Sequence, residues 1–142
     1  MARRDALTHD MFAMPVPATS APGSMDFRPA IADLVKTMLD GHDRATVACR
    51  CSELTGKDVS KYMLDSYTAP SKADFNAPAY LMPALEVATE SYVYSNWLAS
   101  VRGGRFFIGR EALAAELGRV KGEQDKLRQI ERLLQNELRR SV

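Results

Sequence analysis

Side chains able to do chemistry are scarce in this chain, which holds two histidines and two cysteines among 142 residues. His9 lies near the N-terminus and His42 between two expected helices, and neither stands beside a nucleophile motif such as Gly-x-Ser-x-Gly. Cys49 and Cys51 make one close pair, whereas a structural zinc site takes four ligands, usually as two pairs. Residues two apart on a helix point in different directions, so these thiols also make a poor disulfide, which fits a reducing cytoplasm. Gly103 and Gly104 are adjacent and Gly109 is the next glycine, a spacing that suits no phosphate cradle. The carboxylates are scattered and read as helix caps and solvated faces. Neither catalysis nor a cofactor or metal is therefore expected. No apolar run approaches the roughly 20 residues that cross a bilayer. Arg3 and Arg4 are not followed by the apolar stretch of a secretory signal, so no membrane partner is expected either.

A dominant charge is also missing, for the net charge is +1. Residues 1–100 carry nine basic and twelve acidic side chains, and residues 101–142 carry ten and six. Between Asp43 and Asp65 there are four of each sign. The strong basic footprint typical of nucleic-acid binders is absent there.

What is present is helical periodicity. It predicts an all-α fold: a small helical domain containing a helix-turn-helix, with an extended N-terminal arm and a long C-terminal helix of coiled-coil character. The expected divisions are a mobile arm over 1–25, the helical domain over 26–108 and a self-associating helix over 109–142. Pro15, Pro17, Pro22 and Gly23 mark the arm. Within it Phe12, Met14 and Val16 alternate with Ala13 and Pro15, a pattern suited to lying extended on a partner surface or to a plain disordered tail. Asp26 is placed to cap the first helix, with Pro29 in its first turn, and Phe27, Ile31, Leu34, Val35 and Met38 form one apolar stripe. Gly41 suits its C-terminal turn.

The stretch Asp43 to Asp65 carries the functional signal. It reads as two short helices joined at Thr55-Gly56, the layout of a helix-turn-helix whose second helix can enter a major groove. Asp43 is expected to cap the first of these, with Val47, Ala48, Cys51 and Leu54 facing inward. Asp58 is expected to cap the second, with Val59, Tyr62 and Met63 inward. Lys57, Ser60, Lys61 and Leu64 then share the outer side and become candidate base contacts, Leu64 toward a thymine methyl and lysine toward guanine acceptors. Arg44, Arg50 and Lys72 are candidate phosphate contacts. Downstream, Pro83 suits the first turn of a short helix with Leu85, Val87 and Ala88, and Val93, Tyr94, Trp97, Leu98 and Val101 form another stripe, with Trp97 a core anchor. Arg105-Phe106-Phe107-Ile108 suits an extended piece docked on the core.

A last helix is expected from about Gly109 to Arg139. Leu113, Val120, Leu127 and Leu134 repeat every seven residues, and Leu117, Gln124, Glu131 and Leu138 form a less regular second column. Ile130 and Leu133 fall outside it. A helix this long with one apolar stripe needs a partner surface, and a second subunit is the favoured one. Leu113, Leu117, Val120, Leu127, Ile130, Leu134 and Leu138 are the candidate oligomerisation residues.

Several segments carry a resemblance. They are Asp10-Met-Phe-Ala-Met-Pro-Val-Pro17, Pro22-Gly-Ser-Met-Asp-Phe-Arg28, Ser52-Glu-Leu-Thr-Gly-Lys-Asp-Val-Ser-Lys-Tyr-Met-Leu-Asp-Ser-Tyr-Thr68, Pro83-Ala-Leu-Glu-Val-Ala88, Arg102-Gly-Gly-Arg105 and Gly109-Arg-Glu-Ala-Leu-Ala-Ala-Glu-Leu-Gly118. In these the chain resembles small early- or regulatory-region proteins of Mu-like transposable phages and prophages. More loosely, the hairpin followed by a proline-led helix is similar to the CII-type regulators of temperate phages. Ala48 and Gly56 stand further apart than the usual alanine-to-glycine spacing of such hairpins, which Ser52 fits better. The resemblance implies a phage-encoded transcriptional regulator, acting in the cytoplasm of a bacterial host on double-stranded DNA as a homo-oligomer. The alternative is a protein–protein adaptor that grips a phage or host protein in transposition or host takeover without reading DNA.

Overall fold

The computed structural model of the chain describes residues 16–141. The described residues form six α-helices and no strand. The chain divides into two compact units, Met1–Phe106 and Phe107–Val142. Among the described residues no helix is long and apolar enough to cross a membrane.

The first unit holds α1 (Arg28–Leu39), α2 (Arg44–Thr55), α3 (Lys61–Thr68), α4 (Met82–Ala88) and α5 (Val93–Val101). Short 3-10 turns at Pro70–Lys72 and Ala79–Leu81 lead out of α3 and into α4. Each helix starts and stops for a local reason. Pro29 sits in the first turn of α1, and Phe27 occupies the N-cap; Asp26, the expected cap, lies one residue earlier and its carboxylate takes the Arg28 guanidinium at 2.8 Å instead. That ion pair pulls the Asp26 pKa down to about 2. Asp43 does cap α2, accepting from the Thr46 N–H at 3.0 Å and its hydroxyl at 2.7 Å.

The core gathers Val35, Met38 and Leu39 from α1, Val47, Ala48 and Cys51 from α2, Leu64 and Tyr67 from α3, and Leu81, Met82, Ala84 and Leu85 around α4. Small side chains at Ala48, Cys51 and Ala84 let α4 lie close along α2. Each fully buried Leu contributes about 1.5–3 kcal/mol, and Leu64, Leu81 and Leu85 are all fully buried. Burial also pushes the Cys51 thiol up to about 11, while Cys49 is exposed, so the two thiols do point apart. Leu54, expected inside, is partly exposed because α2 turns it past the edge of α4. Trp97 lies beside the main core rather than in it, edge-on to Phe27 at 5.3 Å and tilted against Tyr94 at 5.9 Å. Phe106 stays partly exposed against Tyr92, their ring centroids 5.6 Å apart, and Phe107 and Ile108 are exposed rather than docked.

Two helices end in the same backbone motif with opposite chemistry. After α4 the Glu90 N–H bonds Val87 O at 3.3 Å and the Ser91 N–H bonds Glu86 O at 2.9 Å. After α5 the Gly103 N–H bonds Ser100 O at 3.0 Å and the Gly104 N–H bonds Ala99 O at 2.8 Å. Both are Schellman turns, whose first residue past the cap is left-handed. Glu90 adopts φ 52° with a full side chain, whereas Gly103 adopts φ 73°. At Gly103 a Cβ would also meet Pro17 Cδ at 2.8 Å. Pro17 is seated there because the next residue, Ala18, donates its N–H to Val101 O at 2.9 Å. Within the described part of the arm, Pro17 and Ala18 thus meet the end of α5. The Phe12–Met14 part of the arm lies outside the described residues.

The second unit is dominated by α6 (Arg110–Arg140). Glu111 in its first turn and Arg139 and Arg140 in its last complement the helix dipole. Every described residue of α6 is exposed, Leu113, Leu117, Val120, Leu127, Ile130, Leu133, Leu134 and Leu138 included.

A pair of substitutions tests the two helix ends. Glu90→Gly relieves a left-handed Cβ and should raise the urea unfolding free energy by about 0.5–1 kcal/mol. Gly103→Ala should lower it by about 1–3 kcal/mol, from strain plus the clash with Pro17.

Candidate nucleic-acid interface

The connection from α2 to α3 is built around one hydroxyl. Ser52 Oγ accepts the Val59 N–H at 2.9 Å and lies 3.0 Å from Ala48 O and 3.1 Å from Val59 O, to either of which it can donate. Gly56, at φ 67°, reverses the chain just after α2, its own N–H returning to Ser52 O at 2.9 Å. Val59 is thereby driven into the core. Ser60 then caps α3, its hydroxyl accepting the Met63 N–H at 3.2 Å. The cap is Ser60 and not Asp58, so α3 begins at Lys61 and Lys57 lies in the turn.

That shift rotates the expected face of α3. With Ser60 as cap, Leu64 and Tyr67 become the inner pair, and Leu64 is 0% exposed. Leu64 is therefore removed from the candidate base contacts. Tyr62, expected inside, is 71% exposed. The outward face consists of Lys61, Tyr62 and Asp65, with the capping Ser60 and the turn residue Lys57 beside it. A signal for this was available: Val59, Leu64 and Tyr67 share a spacing that Ser60 brings into register.

The basic candidates do not all stand alike. Arg44 donates to Asp65 at 2.6 Å and to Thr68 Oγ1 at 3.1 Å, and its side chain is only 30% exposed. It braces α2 against α3 and is withdrawn as a phosphate contact. The Arg44 hydrogen bond lowers the Asp65 pKa, and Lys61, 3.7 Å away, adds to the effect. Arg50 pairs along α2 with Glu53 at 3.0 Å. Lys72 donates to Ser66 Oγ at 2.9 Å and to the Tyr62 hydroxyl at 3.2 Å, with its ammonium 4.8 Å from the Tyr62 ring centroid. The Lys72 hydrogen bond lowers the Tyr62 pKa. Tyr67, stacked on Phe75 at 5.3 Å, fixes the loop that brings Lys72 there.

Tyr62 and Lys72 thus join on the outward side of α3, where Lys61 pairs with Asp65, and Lys57 and Asp58 stand exposed in the turn before it. The site offers hydrogen-bond donors and an aromatic face, but little net positive charge. Among the described residues no cluster of three or more His, Cys, Asp or Glu side chains could hold a metal ion. Comparison of the chain with protein-family models, with curated proteins and with solved structures finds no match.

The brace has a pH signature. Asp65 is lowered in the folded chain, so its stabilising contribution is complete above its unfolded pKa of about 4 and is lost as pH falls through the lower folded value. Asp65→Asn should flatten the decline of the urea midpoint below about pH 4 relative to wild type. An unchanged acid slope would mean that the Arg44 contact does not couple to folding.

Proposed function

We propose that this protein is a DNA-binding transcriptional regulator. In this reading α2, the turn and α3 act as a helix-turn-helix on double-stranded DNA, and copies of the chain pair through α6. One observation carries it: Val59, Leu64 and Tyr67 fasten α3 to the core by one side, which leaves Lys61, Tyr62 and the Ser60 end outward. An α3 so held presents its N-terminal turn, the part that meets base edges in helix-turn-helix complexes. Lys61 supplies donors for guanine acceptors. Tyr62 and Lys72, already joined, offer a hydroxyl and an ammonium to one phosphate, and Lys57 and Arg50 add further phosphate contacts. Arg44 serves as a positioning residue through Asp65. The resemblance to early-region proteins of Mu-like phages supports the same reading, and with it an action in the cytoplasm of a bacterial host.

The balanced charge around α3 bears on affinity. Phosphate contacts supply most non-specific affinity, and here Asp58 and Asp65 offset part of it. One copy should bind weakly, so two linked copies are needed to reach a useful affinity. The same balance favours a second reading, a protein–protein adaptor in which the α2–α3 hairpin is only core.

Enrichment of a random duplex library, followed by salt titration of binding, separates these readings. The regulator account expects salt-sensitive binding. Lys57→Ala/Lys61→Ala should weaken binding by about tenfold or more and reduce the log–log salt slope by about 2, near one per lysine. Absence of binding at low salt, or binding indifferent to both changes, overturns it and leaves the adaptor.

A further inference from the structure

We propose that α6 pairs in parallel and in register with α6 of a second copy of this chain, as a two-stranded coiled coil. This deepens the pairing on which the proposed function rests, by fixing the partner and its direction. Leu113, Val120, Leu127 and Leu134 recur every seven residues, and all are exposed. With them as one seam column, Leu117 and Leu138 fall in the other, together with Gln124 and Glu131.

The residues that flank this seam divide by sign. Before the second column stand Glu116, Glu123 and Glu137, with Ile130 interrupting. After the first stand Lys121 and Arg128, with Ala114 and Gln135 uncharged. In a parallel in-register coil the first set of one chain faces the second set of its partner. Glu116 then meets Lys121 of the other copy and Glu123 meets Arg128, and symmetry repeats both. In an antiparallel coil each set faces itself, which brings Glu against Glu and the two basic residues against each other. Charge complementarity therefore selects the parallel arrangement. Within one chain Arg119 holds both Glu116 and Glu123 at 2.5 Å, but exposed pairs of this kind are weak and can be shared with a partner.

The polar seam residues fix the number of strands. Gln124 opposite its own copy sets register, as a polar residue in that column does. Glu131 faces its copy as a like charge and weakens the coil locally. In two strands these groups keep contact with water, whereas larger bundles would bury them at greater cost.

The test uses the full chain without DNA, so loss of pairing is read separately from loss of DNA binding. Light scattering should give twice the 15.7 kDa chain mass. Lys121→Glu/Arg128→Glu should raise the dimer dissociation constant by on the order of tenfold to a hundredfold, since four facing pairs change from unlike to like charge. Glu131→Leu should tighten pairing, a gain that a variant with a melted helix cannot mimic. In a Cys49→Ser background, Ser141→Cys should form an interchain disulfide on mild oxidation. An antiparallel pair would hold those thiols about 45 Å apart, at opposite ends of the helix. A monomeric wild type, a larger assembly, no disulfide at position 141, or insensitivity to the Lys121/Arg128 change would each overturn the proposal.

Discussion

The hydrogen bond from the Val59 N–H to the Ser52 hydroxyl governs how α2 and α3 are joined. It closes the turn after Gly56, sends Val59 inward and leaves Ser60 as the cap of α3. Once Ser60 is the cap, the phase of α3 is set. Leu64 and Tyr67 must go into the core, and Lys61, Tyr62 and Asp65 must come out. A buried amide without its partner costs about 1–3 kcal/mol, so this one contact is comparable with a sizeable part of a small domain's net stability. The Arg44–Asp65 brace then locks the angle between α2 and α3 from the outside.

Much of the helical frame was legible in the sequence, because its signals are local. Asp43 and Gly56 bracket α2, Pro29 and Pro83 start α1 and α4, and seven-residue leucine spacing marks α6. The phase of α3 was not legible in the same way. Asp58 and Ser60 are both good caps two residues apart, and which of them wins is decided by Ser52, a residue on another helix. The choice reverses Tyr62 and Leu64. The seat of Pro17 was hidden for a related reason. Pro17 and Gly103 are far apart in the chain, and nothing in either segment alone announces that one seats on the other. Arg44 reads from sequence as an exposed cation, and only the nearby carboxylate of Asp65 turns it into a brace.

The two units present complementary kinds of surface. Around α3 the exposed groups are polar, aromatic and nearly balanced in charge. Along α6 they are a leucine stripe flanked by charges of opposite sign. The first suits a contact that is specific but weak, and the second suits a durable association. A regulator that reads DNA through a weak hairpin requires the second to make the first effective. The adaptor reading shares α6 but leaves the outward face of α3 without a role. The distinction therefore rests on whether that face is used.

Backbone amide shifts followed by NMR on adding an enriched duplex address that point most directly. The account predicts that the largest changes fall on Lys57, Ser60, Lys61, Tyr62 and Asp65, with Lys72 following and Leu64 and Tyr67 on the buried side of α3 quiet. Changes confined to α1, α5 or α6, with Ser60 to Asp65 unmoved, would contradict it.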